Sequence, residues 1–260
     1  MADPGPGQSQ ELFVETSIFI WRLNRPRGIR RRIDARLRNG HPVTSTYVKA
    51  EYIHTVLRAA VRLYVILVSR RDVQEAAAQW RSVPGGGQVD LGHWLIEGFL
   101  ARADGYDQAE RSLRNLIDLE IMAWFDECGC ELTDVTRCAA ASARVIWADG
   151  GPSIGSSFPP ATAPAGLQEF LGGKRPELTN LRAVLADEQG SHWPRVCKAL
   201  DMLLEGDHSL GLRQWQRMGD LVIALEAHHH GCSVYTTNKV HFAPVCQSLG
   251  IGVVPETTKD

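Results

Sequence analysis

The residues 12–20, Leu-Phe-Val-Glu-Thr-Ser-Ile-Phe-Ile, form an apolar run broken by one carboxylate and two hydroxyls. A buried carboxylate is costly unless something compensates it. Apolar residues on both sides of Glu15 predict a strand of a parallel sheet covered on both faces, with Glu15 delivered to a crevice at its carboxyl end. Near the other end of the chain, residues 232–238, Cys-Ser-Val-Tyr-Thr-Thr-Asn, are again a short β-prone run that finishes in small polar residues. Two helical patterns between these runs each carry an acid, Glu51 within 45–58 and Asp220 within 219–230.

The pattern along the chain sets the architecture. Residues 21–28 read as a Pro/Gly-containing connection and 29–37 as a helix. Residues 41–44 read as a second strand, and Ser45 as the N-cap of a helix with Val48, Tyr52, Val56 and Ala59 on one stripe. The apolar pattern continues to Val68, as one long helix or two short ones. After the breaker at 82–87, helical patterns occupy 91–103, 106–128, 177–187, 193–205 and 212–230. Residues 149–176, rich in Gly, Pro, Ser and Ala, read as a long loop. A short helix over 243–249 and a strand over 251–254 close the chain. Strand and helix alternate at the ends around a helical middle, which predicts an α/β fold: a sheet domain from 11–70 and 211–260, interrupted by a mainly helical insertion over 71–210.

At 260 residues, 44% of them apolar, the chain buries a full core, which excludes disorder throughout. The net charge is near −2, yet eight arginines fall between Arg22 and Arg38 against one acid, Asp34, making a local cationic patch. Neither a signal peptide nor an uninterrupted apolar run of membrane-spanning length is evident, so the expected location is cytoplasmic, away from membranes. The six cysteines are then expected as reduced thiols or metal ligands rather than disulfides.

Three acids in strand and helix contexts match what divalent-metal phosphodiester chemistry needs. Mg²⁺ and Mn²⁺ take oxygen ligands and use few carboxylates directly, while clustered carboxylates without a cation raise one another's pKa. Such an ion lowers the pKa of water and offsets charge on phosphate. Residues 13–20, 45–52, 219–224 and 235–242 together resemble, in order, the four motifs of the PIN domain family. That resemblance implies an α/β/α sandwich with a mostly parallel sheet and a Mg²⁺- or Mn²⁺-dependent ribonuclease, a class that includes toxins of toxin–antitoxin pairs. It covers about the first 60 and last 50 residues. By position it makes Glu15, Glu51 and Asp220 the metal carboxylates, with Thr16, Ser17 and Thr237 in support. Asn238 stands at the fourth catalytic position, where many members carry Asp; that departure makes a single-ion site the more cautious of the one- and two-ion readings. It also implies an antitoxin or other protein partner and a homodimer. The rival reading is a catalytically weak scaffold of the same type that binds nucleic acid or a protein.

RNA-phosphate contacts are assigned to Arg22, Arg25, Arg27, Arg30 and Arg31, and to Lys239 and His241 beyond the last polar strand. For these arginines the bland alternative is a solvated helix face or a surface for an acidic protein. Cys128, Cys130, Cys138 and Cys197, with His192 nearby, are the candidate Zn²⁺ ligands, although their spacing is irregular and buried free cysteines are common.

Overall fold

The computed structural model describes residues 11–82, 88–138, 145–149, 151–155, 158, 164–207 and 210–257. The breaker at 83–87 and residues 150, 156, 157 and 159–163 of the Gly/Pro-rich stretch lie outside the described residues.

In chain order, β1 (Glu11–Val14), α1 (Thr16–Asn24), α2 (Arg27–Asn39), β2 (His41–Ser45) and the long α3 (Thr46–Arg70) make up the first part. There follow α4 (Val73–Ser82), α5 (Gln88–Leu95), a π-helical turn over Ile96–Leu100, α6 (Tyr106–Asn115), a second π-helical turn over Leu116–Glu120, and α7 (Ile121–Asp126). Next come β3 (Glu131–Thr133), β4 (Val145–Ala148), β5 (Gly151–Ile154), α8 (Ala165–Gly173), α9 (Arg175–Ala186) and α10 (Trp193–Leu204). The chain ends with α11 (Leu212–His229), β6 (Ser233–Thr236), α12 (Lys239–Leu249) and β7 (Val253–Pro255).

The main sheet runs β3-β2-β1-β6-β7, and all four of its pairings are parallel. Phe13 stands opposite Val43 on one side and Val234 on the other. The two central strands are apolar on both faces: Leu12, Phe13 and Val14 are buried, as are Val234 and Tyr235. That is the expected state of parallel strands covered by helices above and below. β4 and β5 form a separate antiparallel hairpin whose second strand packs on α3.

Several boundaries differ from the sequence expectation. The strand in 12–20 stops at Val14, and Ile18, Phe19 and Ile20 belong to α1, because Glu15 caps that helix by accepting from the Ser17 backbone N–H. Residues 21–24, expected in a connection, are the end of α1, and the joint to α2 is only Arg25–Pro26. The expected loop over 149–176 contains β5 and α8. Within 71–210, β3 pairs with β2 and so belongs to the main sheet. The helices of that stretch share one continuous core with the sheet, in contact with α3 on one hand and with α11 and α12 on the other.

α3 is a single helix. Ser45 caps it by accepting from the Val48 backbone N–H at 3.2 Å, and Arg71 ends it in the left-handed conformation (φ 52°). Val48, Tyr52, Val56 and Ala59 are buried, and each large one contributes about 1.5–3 kcal/mol of apolar burial. The helix is long and apolar enough to cross a membrane by length and composition, but 67% of its most apolar window is buried inside the fold.

β1 continues toward β2 on one side, whereas β6 continues toward β7 on the other. The order of strands therefore reverses between β1 and β6. In open parallel sheets, the crevice beyond the carboxyl ends of such a strand pair is where ligands bind.

Candidate active site

Glu15 follows the last residue of β1 and sits at that reversal. Its Oε1 accepts from the Thr236 hydroxyl at 2.7 Å and also from the Ser17 hydroxyl, and its Oε2 accepts from the Ser17 backbone N–H at 2.7 Å. Thr237 in turn donates its backbone N–H (3.1 Å) and its hydroxyl (2.6 Å) to Ser17 Oγ. The end of β6 thus holds the acid at the end of β1, directly through Thr236 and indirectly through Thr237. The Asn238 backbone N–H donates to Thr236 Oγ1 at 2.8 Å, and Asn238 precedes α12 without a side-chain capping bond.

Glu51 lies in the second turn of α3, where its Oε2 accepts from the Thr16 hydroxyl. Thr16 was expected to support Glu15; its place in the first turn of α1 turns it to the second acid instead. Asp220 lies on α11 with its Oδ2 3.0 Å from His241 Nδ1. His241, expected at RNA, is engaged with this carboxylate, and its ring stacks almost parallel on His192, with centroids 4.8 Å apart. Beside Asp220, Gly219 presents bare backbone: a Cβ there would stand 3.6 Å from Glu51 Oε1. Glu51 Oε1 and Asp220 Oδ1 take no part in these bonds.

The three acids share one electrostatic environment. Burial raises the Glu15 pKa, its hydrogen bonds from Ser17 and Thr236 pull the other way, and the Asp220 charge raises it further. Glu51 is pushed up to about 7, first by burial and then, against the Thr16 bond, by the charges of Asp220 and Glu15. His241 is raised by its bond to Asp220, whereas His192 is lowered by burial and by His241. Among the described residues, no three His, Cys, Asp or Glu side chains stand as a closed ion-binding set. What the arrangement offers is three carboxylates within electrostatic reach, with Glu51 Oε1 and Asp220 Oδ1 unengaged among the described residues, and that hard oxygen chemistry fits Mg²⁺ or Mn²⁺.

The cationic residues divide. Arg22, expected at RNA, is instead locked to Asp34 at 2.7 Å with a side chain only 11% exposed. Arg25 lies over the Trp21 ring, 4.7 Å from its centroid. Arg27, Arg30 and Arg31 are exposed on α2, and Lys239 is exposed at the start of α12. The zinc candidates are dispersed. Cys128 and Cys130 lie near Arg22, Cys138 near Thr136 and Glu226, and Cys197 near Arg182 and Asp201. All six cysteines are free, and burial raises the four candidate thiols, Cys128 to about 11 and Cys130 and Cys138 to about 12. His192 is drawn to His241 instead.

Two residues that the sequence reading did not single out matter here. Thr236 is one; a shift of one residue along a strand reverses the face, so Thr236 rather than Thr237 reaches Glu15. Glu226 on α11 is the other. It is fully buried, accepts from the Ser45 hydroxyl (2.6 Å) and the Thr136 hydroxyl (3.0 Å), and is pushed up to about 8, chiefly by burial. A cavity of about 540 Å³ between Tyr64, Val68, Arg114 and Trp147 lies along the far half of α3 and contains none of these acids. Comparison of the chain with family models, with characterised proteins and with solved structures finds no match to any of them.

Proposed function

We propose that the protein is a PIN-like, Mg²⁺- or Mn²⁺-dependent ribonuclease. One observation supports the reading: Glu15 from the end of β1, Glu51 from α3 and Asp220 from α11 lie within electrostatic reach of one another beside the strand reversal, and the Asp220 charge acts on the other two to raise their pKa. Three acids gathered where an α/β sheet binds ligands are a poor way to stabilise a fold and a good way to hold a hard dication.

In this reading Glu15, Glu51 and Asp220 hold the ion. Ser17 and Thr236 fix the Glu15 carboxylate in one orientation, Thr16 does the same for Glu51, and Thr237 acts through Ser17. When bound, the ion supplies Lewis acidity at the phosphodiester and offsets the charge that builds there. Arg27, Arg30, Arg31 and Lys239 attract the RNA backbone in a salt-dependent way. His241 holds Asp220 on the side away from the unengaged oxygen, which favours one carboxylate rotamer.

Cleavage of a single-stranded RNA, measured with Mg²⁺ or Mn²⁺, with chelator, and in Asp220→Asn, tests the proposal. Metal-dependent cleavage that the substitution abolishes is the expected result; cleavage that survives both losses would remove the chemistry proposed. Salt-dependent RNA binding with no cleavage under any metal would instead favour the binding scaffold, a reading to which Asn238 at the fourth position lends support.

A further inference from the structure

On α3, Tyr47, Glu51, Thr55 and Arg58 follow one another at helical steps of four, four and three residues, so they share one stripe, with His54 at its border. α11 faces this stripe in the opposite direction: Ser45 meets Glu226, Glu51 lies beside Gly219, and Arg58 shares a cavity with Gln216. That cavity measures about 120 Å³ and begins at Glu51, one of the three acids. Its mouth is formed by the exposed Arg58 and Gln216, its floor by the buried His54 and Tyr47.

His54 is only 4% exposed, and among the described residues neither Nδ1 nor Nε2 has a hydrogen-bond partner. Buried polar side chains are almost always satisfied, so an imbalance of two atoms on one ring points to a missing partner. Burial, and then the Arg58 charge, lower the His54 pKa, which keeps the ring neutral with one N–H donor and one acceptor nitrogen. A phosphate can only accept from that ring and an ammonium can only donate to it. A hydroxyl does both. Thr55 and Gln216, on the same wall, also both give and accept. Phe158 supplies an apolar side, with its ring 6.0 Å from that of His54 and 5.0 Å from that of Tyr47. The space far exceeds the roughly 15 Å³ that one water needs, and falls below the about 300 Å³ at which pockets for whole drug-sized ligands begin. A single sugar ring falls within that range.

We propose that this cavity is a ribose pocket, in which His54, Thr55 and Gln216 receive the 2′-hydroxyl-bearing sugar beside the phosphodiester held at Glu15, Glu51 and Asp220, and so select RNA over DNA. It rests on the reading of the acids as a nuclease centre. The 2′-hydroxyl, donor and acceptor at once, is the group by which a protein tells the two nucleic acids apart. Arg58 at the mouth is then placed for the neighbouring phosphate.

The test uses the full chain and a fluorescent single-stranded RNA, its DNA counterpart, and the RNA with 2′-O-methyl groups, with binding followed by anisotropy in Ca²⁺ and again in EDTA. RNA is expected to bind about tenfold more tightly than either analogue, one well-formed hydrogen-bond pair's worth. His54→Leu is expected to bring the ratio within about twofold by weakening RNA binding alone, with thermal unfolding verifying that the variant is folded. Gln216→Leu, on the exposed rim, gives the same readout should His54→Leu fail to fold. Equal binding of the strands by the native chain, an unchanged ratio in the folded variants, or no binding of either strand overturns the pocket. Metal-dependent cleavage that ignores the sugar leaves the nuclease reading standing while the pocket falls; sugar discrimination that His54→Leu removes, in a chain that cleaves nothing, does the reverse.

Discussion

Glu15, just past the carboxyl end of β1, and Glu226, on α11 and bonded to the last residue of β2, are two buried carboxylates, and each accepts from two side-chain hydroxyls. Their surroundings separate them. Glu15 lies within electrostatic reach of Asp220, and through it of Glu51, whose carboxylate keeps an unengaged oxygen. Around Glu226 the acid that acts on it is Asp134, itself turned to Thr46, and the polar atoms that meet it are satisfied on the spot. Hydrogen bonding alone therefore does not distinguish a working acid from a structural one. What differs is the neighbouring acids: the one acting on Glu226 is itself hydrogen-bonded to Thr46, whereas Glu15 and Asp220 both act on Glu51, making a set of three.

That contrast can be broken, and the largest effect expected is at Glu226. Glu226→Ala removes the acceptor for Ser45 and Thr136 and leaves a void between α11, β2 and the turn after β3; chemical denaturation should show a loss of about 3–4 kcal/mol. A loss near zero would erase the structural half of the comparison. Glu226→Gln should fold, and it sharpens the same point through pH. The folded pKa of Glu226 is raised from 4.5 to about 8, so the folded chain retains a proton that the unfolded chain releases. The stabilising contribution is complete below pH 4.5, declines as pH rises toward 8, and is absent from the Gln variant.

Next in size is the response to metal. At a hundredfold excess over its dissociation constant, Mg²⁺ or Mn²⁺ should stabilise the native chain by about 2.7 kcal/mol, read as a rise in Tm. The rise should vanish in Asp220→Asn and persist in Glu226→Gln; the opposite pattern would exchange the roles of the two acids. Glu51→Gln should then stabilise the metal-free chain at pH 8 by about 1 kcal/mol, since Gln still accepts from Thr16 and carries no charge. Because the Glu51 pKa is raised to about 7, this gain should grow as pH rises from 4.5 through 7 and disappear in acid. The smallest effects are expected on α2. Arg30→Ala and Arg31→Ala should each lower the salt slope of RNA binding by about 1 with stability within about 0.5 kcal/mol of native. Arg22→Ala, which frees Asp34, should cost about 1 kcal/mol and leave the slope unchanged.

Of the three acids only Glu15, inside an apolar run, stands out by its local pattern; Glu51 and Asp220 look like ordinary helix charges and are picked out by the order of four motif-like segments, and in the fold all three lie within electrostatic reach of one another. The fold class was legible for a similar reason, since runs 12–14 and 233–236 are buried on both sides and look it. The true end of the first strand was not. A short apolar segment reads the same in a buried strand and in a buried helix, and Glu15 is an unusual cap, so the change at Thr16 left no local sign. Glu226 stayed hidden as one acid among the histidines of α11, its partners Ser45 and Thr136 being 181 and 90 residues away. His192 was drawn toward a zinc set by proximity to Cys197, when the ring it meets belongs to residue 241. Partnerships across such distances are set by packing, which a linear pattern does not carry.

The capping of α1 by Glu15 has a consequence for timing. The bond from the Ser17 N–H starts the helix and immobilises the carboxylate in one act, so the oxygens acquire their positions when the chain folds. In the proposed reading, no side-chain search is left for the moment a strand of nucleic acid arrives. A centre assembled in advance in this way loses little entropy on engagement, and its idle form should resemble its working form at this corner.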